Sequence, residues 1–169
     1  MYFKLPLAVA LLALSGCMTI EGGSSSANDP TRPRVYRISA LEAPRIQNRM
    51  LESVNALRQA AGVPPLALNG KLSNAAAAHS KDMAGQQRPW NFGVDGTTPL
   101  ERAARAGFEG ALLGQAFSET YETEMETLAA WMGQTDTREV LLEPRARNMG
   151  FSFYQEPTGK IWWTLMTGT

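Results

Sequence analysis

Apolar residues recur at the spacing of an α-helix in the segment that follows residue 43. They lie four, four, three and four residues apart, as one buried helical face requires: Ile46, Met50, Val54, Leu57 and Ala61. Gly62, Pro64 and Pro65 come directly after this stripe and are typical of a helix end. The pattern therefore predicts a first amphipathic helix that begins near Ala43.

Three further helices are predicted downstream. The second lies in LSNAAAAHSKDMAGQQ, with a stripe of Leu72, Ala76, His79 and Met83. The third lies in TTPLERAARAGF, with Thr98 as N-cap, Pro99 in the first turn and Gly107 at the end. The fourth lies in SETYETEMETLAAWMGQ, with a stripe of Tyr121, Met125, Leu128 and Met132. Its start is acidic, which the positive end of the helix dipole explains: Glu119, Glu122 and Glu124.

Near the C-terminus the spacing of apolar residues changes from that of a helix to that of a β-strand. The segments MGFSFYQ and KIWWTLMTG are rich in aromatic and branched residues, and EPTG joins them, so they predict a β-hairpin. The second segment is apolar on both faces and needs cover on both. With helices available for each face, we expect an α+β fold, an α-β-α sandwich with a small antiparallel sheet between helical layers. The segment LLGQAF offers a third strand.

The N-terminal region has a different character. Residues 1–16 carry one positive charge and an apolar run too short to span a membrane, as in a secretory signal. They end in Leu-Ser-Gly before Cys17, which resembles the bacterial lipobox and predicts lipidation of Cys17. An ordinary cleaved signal with a leftover thiol is the alternative. Residues 17–42 are rich in Gly, Ser, Asn and Pro and predict a flexible tether to a domain at residues 43–169.

Lipidation of Cys17 predicts an exported protein that is held to the membrane of the cell envelope by its acyl chains. Met18 follows the cysteine, whereas retention at the inner membrane usually needs Asp at that place. In a cell with two membranes we therefore expect the outer one, facing the periplasm. Sixteen basic residues balance sixteen acidic ones, so no broad positive field is present and nucleic acid is not an expected partner.

The segment RPWNFGVDG, residues 88–96, is a candidate for the functional site. Pro89, Gly93 and Gly96 exclude a helix, and the aromatic rings on either side of Asn91 are unusual for an idle surface loop. The sequence thus indicates a loop that holds Asn91 in a fixed place.

The order of these motifs resembles the CAP superfamily, also called SCP, which includes cysteine-rich secretory proteins, antigen 5 and plant pathogenesis-related proteins. The likeness runs from Ile46 to Gly168 and rests on NALRQAAGVPPLALNGKLSNAAAAHSKDMA, DGTTPLERAARAGF, LGQAFSET, a helix that ends in AAWM, and the aromatic hairpin. The resemblance implies an α-β-α sandwich with a cleft of two histidines and one or two glutamates, which in some members hold a divalent metal. It also implies that lipids or sterols are candidate ligands.

Three of the family's cleft positions carry other residues in this chain. The resemblance places Asn91 and Thr137 where histidines are usual, and Gln115 where a glutamate is usual. Amides are poor zinc ligands and do not transfer protons near neutral pH. We therefore expect no metal, no cofactor and no catalytic residue. The expected function is that of a binding module for a lipidic or other small ligand, or for an envelope partner.

Other residues keep alternatives open. Glu119 and Asp136 are the carboxylates that a hydrolase of peptide or cell-wall material would use, and Asp136 and Arg138 flank Thr137 as rim residues of the cleft. The simpler interpretation gives Asp136 a capping role in the turn after the fourth helix. His79, the single histidine, is expected to be a core residue with satisfied nitrogens. A purely structural envelope protein is the third hypothesis.

Overall fold

The computed structural model describes residues 36–169. Along the chain the elements are α1 (Ala43–Ala60), β1 (Ala67–Leu68), α2 (Gly70–Gln86), α3 (Pro99–Arg105), β2 (Leu112–Glu119), α4 (Glu124–Gly133), α5 (Thr135–Leu142), β3 (Asn148–Gln155) and β4 (Ile161–Gly168). The signal, Cys17 and most of the expected tether lie outside these residues.

The four strands form one sheet in the order β1-β3-β4-β2. The pairs β3–β4 and β2–β4 are antiparallel, which confirms the predicted hairpin and the third strand. The two-residue strand β1 adds to the free edge of β3 in parallel and makes the sheet mixed. All eight residues of β4 are buried, as expected for a strand that is apolar on both faces.

Helices cover both faces of the sheet, and the side chains of β4 alternate between two cores. Leu165 packs with residues of α1, α4 and α5, including Ile46 and Trp131. Its neighbour Met166 points to the other face and packs with Leu72 of α2 and Ala103 of α3. The α-β-α sandwich expected from the sequence is therefore confirmed.

The helix starts follow their capping residues. Asn69 accepts hydrogen bonds from two backbone N–H groups at the start of α2, and Thr98 forms a capping box with Glu101 at the start of α3. The start of the fourth helix was predicted wrongly. Thr123 caps it, so Glu119 lies on β2 rather than at a helix start. The signal was present in the sequence, since Thr123 and Glu126 have the spacing of a capping box.

The buried face of α1 ends in a charged residue rather than in Ala61, which is exposed. Arg58 is completely buried. Its Nε donates to the carbonyl of Pro64 over 2.7 Å, and its Nη1 donates to the carbonyl of Leu141 over 2.8 Å. Its Nη2 reaches two more carbonyls after α5, those of Glu143 and Ala146. One guanidinium thus fastens the segment after α1 to the segment after α5.

Residues 36–39 lie against the β3–β4 hairpin. The backbone N–H of Ile38 donates to Gln155 Oε1 over 3.0 Å, and Gln155 Nε2 donates to the carbonyl of Tyr36 over 2.8 Å. Arg37 Nη1 donates to the carbonyl of Glu156 over 2.8 Å. The final residues of the expected tether are therefore bound to the domain that follows them.

Candidate functional site

The loop at residues 88–97 is fixed by its own contacts. Trp90 Nε1 donates to Gln86 Oε1 over 2.9 Å, and the Arg88 guanidinium lies 4.2 Å from the centroid of the Trp90 ring. Further along, Gly93 is buried, and a β-carbon there would clash with the hydroxyl of Thr97. These contacts give the loop between α2 and α3 a defined shape, as the sequence indicated for the surroundings of Asn91.

Arg102 of α3 joins this loop to strand β2. It is only 4% exposed, and its Nη1 donates to Gln115 Oε1 over 3.1 Å. Its Nη2 donates to the carbonyls of Asn91 and Thr97 over 3.2 and 3.3 Å. Gln115 Nε2 in turn approaches Asn91 Oδ1 at 3.5 Å. Asn91 and Gln115 are therefore joined with the guanidinium of Arg102 in one hydrogen-bonded cluster, and we call the place where they meet the amide cleft.

Arg102 was not recognised in the sequence. In TTPLERAARAGF it follows the capping box and resembles Arg105, the other arginine of that segment. Only the docking of α3 against α2 and β2 buries this arginine while Arg105 stays exposed. The sequence signal was weak, because the helix is seven residues long and its periodicity is poorly defined.

The electrostatics of the amide cleft are those of a buried cation. Burial lowers the pKa of Arg102, and the carboxylates of Asp82 and Asp95 partly oppose this shift. Within residues 36–169, no carboxylate oxygen lies within 4.0 Å of the guanidinium. The positive charge is therefore held mainly by neutral oxygens of amides and the backbone, and it repels a second cation at the same place.

His79 lies beside this cation, in the core between α2 and β2. Its ring is completely buried and meets Phe117 edge to face, with 5.6 Å between ring centroids. Neither ring nitrogen has a hydrogen-bond partner within residues 36–169, so the expectation of satisfied nitrogens was wrong. Burial, and secondarily the charge of Arg102, lowers the pKa of His79 to about 3, and the nearby backbone of Trp90, which lies outside hydrogen-bond geometry, opposes this shift only weakly. The imidazole is thus neutral at physiological pH.

Thr137, Arg138 and Asp136 lie at the junction of α4 and α5. The Thr137 hydroxyl donates to the carbonyl of Trp131 over 2.6 Å, and Arg138 Nη1 donates to the carbonyl of Met132 over 3.2 Å. In the part of the chain that the structure describes, no hydrogen bond connects Thr137 or Arg138 to Asn91 or Gln115. Both side chains secure the end of α4.

Asp136 is exposed in the first turn of helix α5. This helix lies where the sequence predicted only a short connecting turn. Gln134, and not Asp136, occupies the N-cap position of that helix. The capping role expected for Asp136 was therefore wrong.

Glu119 stands at the end of β2 and forms an ion pair with Lys160. The Lys160 ammonium also lies 4.0 Å from the centroid of the Trp162 ring. The ion pair gives the Glu119 carboxylate a partner within the fold.

The residues of the amide cleft do not fit a divalent metal ion. Residues 36–169 contain no group of three His, Cys, Asp or Glu side chains that could hold one. The donors of the cleft are amides, and a guanidinium already supplies the positive charge at its base. Zinc prefers imidazole, thiolate or carboxylate, and the amide cleft offers none of these groups.

The family model of CAP, the cysteine-rich secretory protein family, matches residues 51–166. The chain belongs to the CAP family. The matched region contains α2, α3 and β2, which carry most of the amide cleft, and this confirms the resemblance seen in the sequence. The described CAP domain has no helix with the length and apolar character needed to cross a membrane.

Three known proteins illustrate the range of the similarity. The uncharacterized protein YkwD of Bacillus subtilis (strain 168) is 26% identical over 116 residues, which are 69% of this chain and 44% of YkwD. The chain thus spans less than half the length of that relative.

Two solved structures resemble the CAP domain. An outer surface protein from Borrelia burgdorferi has a TM-score of 0.69 at 15% identity, over 80% of this chain and 98% of that one. An extracellular protein with an SCP domain from Bacillus anthracis strain Ames has a TM-score of 0.65 at 19% identity, over 79% of this chain and 45% of that one. At such identities the likeness shows the fold alone.

Proposed function

We propose that this CAP domain binds a ligand without transforming it, and that lipidated Cys17 holds it at the cell envelope. The observation that carries the proposal is the burial of Arg102 beneath Asn91 and Gln115. A cleft built on a fixed cation and two amides has hydrogen-bond donors and acceptors in place. It offers neither a metal ligand set nor a titrating side chain.

The rim of the amide cleft supports an amphiphilic ligand. Trp90 and Phe92 stand on either side of Asn91, with 5.2 Å between their ring centroids, and Phe92 is 41% exposed. Aromatic rings beside a polar base suit a molecule with an apolar body and a hydrogen-bonding head. A lipid of the cell envelope has this character, and it is the ligand class that we propose.

Lipid extraction tests the binding role. The purified full-length chain is incubated with an extract of envelope lipids, separated again, and analysed by mass spectrometry. We expect bound lipid on the natural protein and about tenfold less on Gln115→Met, which removes one of the two amides of the cleft. Gln134→Met is the matched control, because Gln134 is exposed and its side chain makes no capping hydrogen bond. Equal lipid on all three proteins, or none on any, would overturn the proposal.

Zinc titration by calorimetry tests the non-catalytic part. We expect no binding to the natural chain, because Arg102 occupies the base of the cleft. Tight zinc binding would contradict this. Turnover of a peptide or cell-wall substrate that is lost in Glu119→Gln or Asp136→Asn would favour a hydrolase instead.

Fractionation tests the anchor. The proposal for Cys17 rests on the lipobox-like sequence and on Met18, both outside the described residues. We expect the natural protein in the outer-membrane fraction of a cell with two membranes, and Cys17→Ser in the soluble fraction. Recovery of Cys17→Ser with the membrane would show that something other than the acyl chains holds the protein there.

A further inference from the structure

A cavity lined by Arg102, but not by Asn91 or Gln115, lies next to the amide cleft. It has a volume of about 470 Å³, within the range of small-molecule sites. The cavity is bounded by α2, α3 and the turn that precedes α3, and its lining includes Ala78, Asp82, Val94, Arg102, Arg105 and Ala106. We call it the α2–α3 cavity.

The α2–α3 cavity contains two opposite charges that do not pair with each other. Asp82 and Arg102 both line it, but their charged atoms are more than 4.0 Å apart. Within residues 36–169 the Asp82 carboxylate has no hydrogen-bond partner; Gln86 bonds only to the Asp82 backbone carbonyl. Asp95 differs, because Thr97 and Arg105 occupy its oxygens. The carboxylate of Asp82 is therefore ready for a cationic partner.

The opposite wall has unused donors. Three of the five N–H groups of Arg102 have acceptors, namely Gln115, Asn91 and Thr97. Its Nε is buried and has no acceptor within the described residues. Arg105 stands at the mouth of the cavity, 65% exposed, and uses one of its nitrogens for Asp95. These groups suit an anionic ligand group such as a carboxylate.

We propose that the α2–α3 cavity binds a free α-amino acid. The ammonium group pairs with the Asp82 carboxylate, and the ligand carboxylate lies beside the guanidinium groups of Arg102 and Arg105. The apolar side chain of the ligand lies against Ala78, Val94 and Ala106. Because the ammonium meets Asp82 and the carboxylate meets Arg102, neither of which has an ion-pair partner within residues 36–169, the zwitterion is favoured over molecules that carry only one charge.

The burial of Asp82 agrees with this assignment. Burial raises the pKa of its carboxyl group, with Asp95 adding to the shift and Arg102 opposing it. A partly desolvated carboxylate gains more from an ammonium partner than an exposed one does. This site is distinct from the amide cleft, although Arg102 borders both. Its test is therefore independent of the lipid-binding proposal.

The test is calorimetric titration of the full-length chain with L-leucine and with two matched compounds. Leucinamide lacks the carboxylate, and 4-methylpentanoate lacks the ammonium group. We expect L-leucine to bind, and each matched compound to bind at least about tenfold more weakly. Silence with L-leucine at millimolar concentration refutes the proposal. Equal binding of leucinamide would show a simple cation site and refute it as well.

Variants locate the site. We expect Asp82→Asn to weaken L-leucine binding by at least about tenfold, because the ammonium loses its charged partner. Glu109→Gln is the matched control, since Glu109 is an exposed acid between α3 and β2 that does not line the cavity. Thermal unfolding of both variants checks that they are folded. Unchanged binding by a folded Asp82→Asn variant would overturn the assignment.

Discussion

Acidification should destabilise this protein through one side chain, His79. The folded-state pKa is about 3, whereas an unfolded histidine titrates near 6.5. Above pH 6.5 the ring is neutral in both states, so it contributes no pH dependence. Below pH 6.5 the unfolded chain binds a proton that the folded chain does not bind until about pH 3. The free energy of unfolding therefore falls as the pH falls through this window.

The magnitude follows from the width of that window. Each pH unit in which only the unfolded state is protonated lowers the stability by about 1.4 kcal/mol. Between pH 7 and pH 4.5 the difference amounts to about 2.5 kcal/mol for His79 alone. Since whole domains are stable by roughly 5–15 kcal/mol, this loss is measurable without unfolding the protein.

The assay is urea unfolding, followed by tryptophan fluorescence, at several pH values between 7 and 4.5. His79→Phe keeps a ring against Phe117 and removes the ionisable nitrogens. Carboxylates with lowered pKa values, such as Glu143 near 2, also lose stabilising charge in acid. These carboxylates lose the same stabilisation in both proteins, so their effect cancels when the two free energies of unfolding are compared. We expect the variant to gain about 2.5 kcal/mol relative to the natural protein over this range.

A constant difference between the two proteins from pH 7 to pH 4.5 would refute the reasoning. It would mean that the folded protein accepts the proton on His79 as easily as the unfolded chain does. The backbone of Trp90, or another polar group, would then have to stabilise the charged ring far more than the burial of His79 allows here.

Three further predictions concern the frame around the site. Arg58→Met should lower the free energy of unfolding by about 3 kcal/mol or more in urea titrations, because four carbonyls lose a donor. Arg45 is exposed on the same helix, so Arg45→Met should change the free energy of unfolding by less than about 0.5 kcal/mol. Equal effects of the two substitutions would contradict the role of Arg58. Gly150→Ala should lower the free energy of unfolding by about 3 kcal/mol, seen as a lower Tm, because a β-carbon at this position meets the backbone of α2. At Gly133 a β-carbon meets nothing within 4 Å, so Gly133→Ala should be neutral or stabilising. Thr98→Ala should cost about 1 kcal/mol through loss of the capping box, and an unchanged Tm would show that the cap is dispensable.

Strong local periodicity explains which parts of the fold were predictable. The second and third helices and the C-terminal hairpin were found because their apolar spacing, caps and turn residues agree. Strand β1 was missed because two residues are too few to show a period, and its pairing with β3 depends on a contact 81 positions away. Helix α5 was missed because only Leu141 of its residues is buried, so it lacks an apolar stripe.

The amide cleft was predictable in its components but not in its chemistry. The family resemblance identified Asn91 and Gln115, and the structure shows that they share one network. Nothing in the sequence distinguished Arg102 from its neighbours, because the burial of a guanidinium depends on the packing of three elements. For the same reason the missing partners of the His79 nitrogens could not be foreseen.

The position of β4 in the sheet has a consequence for how the protein is made. β4 pairs with both β2 and β3 and contributes side chains to both cores, yet it follows every other described element in the chain. Neither core can close while the polypeptide is still shorter than about residue 168. The nascent chain therefore has little stable tertiary structure until β4 has been synthesised, and the sheet and both cores form together at the end of synthesis.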